Sequence, residues 1–163
     1  MSGQTTLSFW QLLALSVGPA TLTALVSFVG PMLMERRKQQ AEARKRRAEK
    51  LEELIKTLYQ HDHWLESNRH KYTFGNDIKL DMAPLMLAQA LVLLHFPSIK
   101  EKMDELSMAA GRYEAWCIKA GRKRMAKEAN FTDGFDDVYQ PYLNALKKMV
   151  STTAEFGRKE LGS

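Results

Sequence analysis

The stretch from Leu7 to Val29 is 23 residues long and uncharged, and no Asp, Glu, Lys or Arg occurs before Glu35. A helix of that length extends about 35 Å, enough to cross a hydrocarbon layer of about 30 Å. The sequence therefore predicts a membrane-spanning helix over about 7–29, within an N-terminal segment 1–34. A secretory signal would carry its basic residues ahead of the apolar run. Here MSGQTTLSFWQ has none and the basic cluster follows, so an uncleaved span is expected. Cations flanking a span favour the cytoplasmic side. The expectation is a single pass through the cell (inner or plasma) membrane, N-terminus out, with the C-terminal domain cytoplasmic.

Residues 35–50 hold eight Lys or Arg against three Glu, which accounts for the whole formal charge of +5. They read as a basic juxtamembrane stalk helix, with Arg36, Arg37, Lys38, Arg44, Lys45, Arg46 and Arg47 facing anionic lipid headgroups. Residues 51–163 then carry 16 basic and 16 acidic side chains. That balance speaks against specific nucleic-acid binding by the C-terminal domain. The single Cys117 has no partner for a disulfide or a CxxC site. Phosphate loops of the GxxxxGK and GxGxxG types, a GxSxG elbow and HExxH are all missing from the sequence, so no cofactor and no enzymatic activity are expected.

Two Gly-Pro pairs punctuate the N-terminal segment. Pro19 at mid-span cannot donate to the carbonyl four residues back, which predicts a kink at Gly18-Pro19. Gly30-Pro31 reads as a joint between span and stalk. Ser16, Ala20, Thr23, Ser27 and Gly30 recur at intervals of four and three, forming a stripe of small residues suited to close helix association or to lining an opening in an oligomer.

The rest of the chain reads as an all-α, small up-down helical bundle over 51–163. Leu51, Leu54, Ile55, Leu58 and Leu65 give the stalk helix an apolar stripe, and Gly75-Asn76 signal its end. The run from Met82 to Phe96 is too short for an upright crossing, so a buried core helix is expected, with Asp81 as N-cap. Ser98 and Glu101 have the spacing of a capping box for a helix starting at residue 98. Ile99, Met103, Leu106, Ala110, Tyr113, Cys117 and Ala120 follow helical periodicity. A last helix is expected over about 136–160, with Leu143, Leu146, Met149, Val150 and Phe156 inward, and Pro141 suggesting a late start.

Three clusters carry possible chemistry. His63, Glu66 and His70 share a helical face within the group His61, Asp62, His63, Glu66 and His70, a spacing that a metal-dependent enzyme could use. Asp133, Asp136 and Asp137 lack the pattern of a calcium loop and suit a helix N-terminus. Lys119, Arg122, Lys123, Arg124 and Lys127 crowd around Gly121 and form a candidate site for an anion or an acidic partner. The leading expectation is a non-enzymatic, self-associating single-pass membrane protein. Its helical domain would bind a protein partner or sense an anionic signal, such as a nucleotide, and couple it to the membrane helix. The alternatives are a membrane-perturbing or pore-forming effector and the metal-dependent enzyme.

Overall fold

The computed structural model describes the backbone from Phe9 to Leu161 and the side chains from Met32 to Glu160. All regular structure among these residues is helical: α1 (Phe9–Tyr72), α2 (Leu85–His95), α3 (Lys100–Met125) and α4 (Phe135–Leu161). One turn of 3-10 helix, Pro97–Ile99, joins α2 to α3. The predicted span, its Gly18-Pro19 kink and the stripe of Ser16, Ala20, Thr23, Ser27 and Gly30 lie outside the described side chains. Among the described residues, no helix is long and apolar enough to cross a membrane.

The chain divides into two compact units, Met1–Lys45 and Arg46–Ser163. In the first, every described side chain from Met32 to Lys45 is exposed, including Arg36, Arg37, Lys38, Arg44 and Lys45. In the second, Arg47 Nη1 donates to Glu160 Oε2 at 2.7 Å, tying the turn before Leu51 to the end of α4.

Within the second unit the core follows from helical spacing. Along α1, Leu51, Leu54, Leu58, His61, Leu65 and Asn68 are buried three and four residues apart, and Thr57 is buried beside Leu58. All seven residues of the periodic stripe in and before α3, from Ile99 to Ala120, are buried. On α4, Tyr142, Leu146, Met149 and Thr153 are buried, with Leu143, Val150 and Phe156 packed partly against them. This alternation is the pattern of helices crossing at shallow angles with interlocking side chains.

Contacts at the two ends show that the helices alternate in direction. Near one end Phe156 packs edge-on against Phe96, ring centroids 5.6 Å apart, and Gly157 lies against Leu51. Near the other, Phe135 at the start of α4 meets Tyr113 and Trp116 of α3, at 6.1 and 5.3 Å.

Local details correct several expectations. Asp81 does not cap α2, which starts at Leu85 with no side-chain cap. Pro84 precedes Leu85, and Asp81 instead offers its backbone carbonyl to the indole of Trp64 at 2.8 Å. Ser98 and Glu101 form no capping box, because Ser98 sits inside the 3-10 turn that follows Pro97 and Ile99 precedes α3 with no side-chain cap. Pro141 does not delay α4, which begins at Phe135. Asp136 and Asp137 occupy its first turn, where acidic groups complement the exposed N–H groups.

The expected buried core helix is buried on one face only. Ala88, Leu91 and Val92 face the core, while Met86, Leu87, Leu93 and Leu94 are exposed, Leu94 at 76%. Its one polar side chain facing a neighbour, Gln89, donates to Ser107 Oγ of α3 at 2.9 Å.

α3 passes the end of α1 at Gly121. A Cβ added there would collide with the carbonyl oxygen of Tyr72, a backbone atom that cannot rotate away. Thr73 Oγ1 donates to the Cys117 carbonyl at 3.3 Å beside this crossing. Gly111, on the exposed face of the same helix, has open space around its Cβ position. Gly121→Ala should therefore lower unfolding stability by about 2 kcal/mol or more. Gly111→Ala should raise it by about 0.5–1 kcal/mol through helix propensity. Urea unfolding followed by circular dichroism checks the pair, and equal shifts in the two variants would contradict the crossing.

Candidate functional site

Two surfaces and one internal seam of the second unit carry its unusual chemistry. The seam is built from Asp62, Glu66 and Arg69, spaced four and three apart and so presented along one face of α1. Glu66 is held by Arg69 Nη2 at 2.6 Å and accepts from the hydroxyl of Tyr113 at 3.0 Å. Asp62 accepts from the hydroxyl of Tyr142 at 3.0 Å. The Arg69 guanidinium also lies over the rings of Phe74 and Phe135, 5.7 and 5.4 Å from their centroids. Burial, reinforced by the adjacent carboxylates, pushes both tyrosine hydroxyls far above their ordinary range. Both phenols are held as donors to the carboxylates, linking α3 and α4 to α1.

The histidine group does not assemble as a ligand set. His61 is buried, its ring stacked on Trp64 at 5.8 Å and edge-on to Tyr142 at 6.5 Å. His63 is exposed, and His70 is exposed beside Phe74 at 5.9 Å. Glu66 is committed to Arg69 and Tyr113, and no group of three or more metal-ligating side chains occurs among the described residues. Cys117 is buried and free, its thiol pushed up to about 11 by burial. That environment suppresses the reactive thiolate.

The cations from Lys119 to Lys127 cover the last turns of α3 and the residues just after it. Basic groups there complement the unpaired carbonyls of a helix end. They do not converge on one point. Lys119 and Lys123 border a small cleft of about 50 Å³ with Trp116, Phe131 and Asp133. Arg122 is exposed, Arg124 packs against Gly75, and Lys127 takes a left-handed turn conformation, φ 60°. The Arg124 Nε atom is buried without a hydrogen-bond partner among the described residues.

A larger opening lies where no sequence motif pointed. Between α1 and the non-helical segment 78–84 is a groove of about 770 Å³. Lys56, Tyr59, His63 and Trp64 line one wall, and Lys79 and Asp81 belong to the other. Trp64 Nε1 holds that second wall through the Asp81 carbonyl. Trp116 Nε1 does the same for the next loop, donating to the Asp133 carbonyl at 3.0 Å. The available signal was the spacing of residues 56, 59, 60, 63 and 67 on one helical face, but their mixed types resembled a solvated surface.

The second surface is the outer side of α2. Met86, Leu87, Leu93 and Leu94 are exposed there, and Met82 beside them is 87% exposed and also borders the groove.

Compared with known proteins, the chain matches no family model, no curated protein and no solved structure.

His61 gives the unit a pH dependence. It is 2% exposed and neither ring nitrogen has a hydrogen-bond partner among the described residues. Burial lowers its pKa from 6.5 to about 4. The unfolded chain therefore takes up a proton below about pH 6.5 that the folded chain takes up only near pH 4. Its contribution is fully present above pH 6.5, falls as pH drops through this window, and amounts to about 3 kcal/mol in all. His61→Phe should flatten the difference in stability between pH 7 and pH 5. Parallel urea titrations at the two pH values check this, and an unchanged difference would remove His61 as its source.

Proposed function

We propose that the chain is a non-enzymatic, self-associating, single-pass membrane protein of the cell membrane whose cytoplasmic helical unit serves as a docking module for a protein partner. The observation that carries the docking part is the outer side of α2. Met86, Leu87, Leu93 and Leu94 stand exposed on a helix whose other face already fills the core. Exposed apolar side chains occurring singly are ordinary, whereas a clustered set on one helix is typical of an interaction surface. Membrane attachment is supported by the uncharged run from Leu7 to Val29 and by the cations that follow it. Those cations from Arg36 to Arg46 are all exposed toward solvent, where they can meet anionic headgroups, while Arg47 is paired with Glu160.

Two measurements on the full chain test the reading. Alkaline carbonate extraction should leave the protein with the membrane fraction, and its release would overturn attachment. Light scattering in detergent should give a mass above that of one chain at about 10 μM, a range in which specific associations are populated. A monomer would overturn self-association. Leu93→Glu with Leu94→Glu should then abolish capture of a partner while carbonate resistance persists. Partner capture unchanged in that variant would show that α2 is not the docking face.

A further inference from the structure

We infer that the groove between α1 and segment 78–84 is a binding site for a small anion carried on an aromatic body, of the nucleoside phosphate class. This rests on reading the helical unit as a binding module, but not on its membrane attachment or on α2 as a docking face.

The volume of about 770 Å³ suits such a ligand, because small-molecule sites commonly enclose about 300–1,000 Å³. Charge sets the sign of the occupant. Lys56 and Lys79 approach from opposite walls, and Asp81 is the one acidic side chain of the lining. The unit as a whole has no basic excess over 51–163, so this local bias is not the reflection of a general field. Lysine ammonium groups recognise phosphate as point charges.

In the same wall, the N–H groups of Lys79, Leu80, Asp81 and Met82 have no backbone acceptor among the described residues, which leaves them for water or for a ligand's oxygens. The aromatic component of the proposal comes from Trp64 and Tyr59, which line the groove. A planar base can stack on such a side chain. Trp64 is also the wall's anchor, fixed by its bond to Asp81 and backed by the ring of His61.

The cations from Lys119 to Lys127 supply an internal comparison. They are more numerous, yet the cleft beside Lys119 and Lys123 is about 50 Å³, too small for the same ligand. Density of charge and capacity to enclose a ligand are separated in this unit.

Equilibrium dialysis of the full chain in phosphatidylcholine nanodiscs, with ATP, GTP and AMP as probes, tests the proposal. Saturable binding with a Kd below about 1 mM is expected for at least one nucleotide. Inorganic phosphate and adenosine alone should each bind at least about tenfold more weakly. Lys56→Glu with Lys79→Glu should weaken nucleotide binding by about tenfold or more, with helical content unchanged by circular dichroism. Should that variant lose helicity, Lys56→Gln with Lys79→Gln is read in its place. Lys119→Glu with Arg122→Glu should bind as the parent does, and so should Leu93→Glu with Leu94→Glu, which separates this site from the α2 face. No saturable nucleotide binding at about 1 mM would overturn the proposal. So would phosphate binding as tightly as nucleotide, or loss of binding in the Lys119 and Arg122 variant alone.

Discussion

A glycine meeting a carbonyl fixes the geometry of the helical unit. At Gly121 the α3 backbone lies against Tyr72, and any side chain would force the two apart. That approach brings Thr73 to the carbonyl of Cys117 and leaves Gly75 under the side chain of Arg124. It also sets how far along α1 the tyrosines of α3 and α4 can reach, so that Tyr113 arrives at Glu66 and Tyr142 at Asp62. The polar seam is thus a consequence of where the helices cross. Its hydroxyl-to-carboxylate bonds specify register at a position where apolar contacts alone would tolerate sliding.

Much of this was legible in the sequence where one face of a helix differs from the other. The stripe from Ile99 to Ala120 named every buried position it contains, because polar residues filled the gaps between its members. Residues 82–96 offered no such contrast. With nearly every position apolar, periodicity cannot tell the face that packs from the face left exposed. The same limit worked in reverse for α1. His61 and Asn68 occupy core positions in step with Leu51, Leu54, Leu58 and Leu65, yet their polarity disguised the continuation of the stripe.

The site residues were less legible, for a related reason. Spacing gathered His63, Glu66 and His70 on one face, but what a carboxylate does depends on which neighbour claims it first. Arg69 and Tyr113 take Glu66, and Tyr113 comes from a helix 47 residues away in sequence. The groove was hidden more completely. Its second wall is an irregular segment held by a single indole N–H, and no periodicity announces a wall without regular structure. The doubled use of tryptophan, Trp64 on Asp81 and Trp116 on Asp133, each across 17 residues, becomes intelligible once both loops are seen to need a donor that reaches out from a packed helix.

The pairing of Arg47 with Glu160 has a further implication. It places the start of the compact unit beside the final turn of its last helix, so the polypeptide enters and leaves at neighbouring points. A unit whose ends adjoin can be transplanted as a cassette into a loop of another protein with little distortion of either. The alternating run of the four helices is what makes this possible, since an even number of passes returns the chain to the side from which it came.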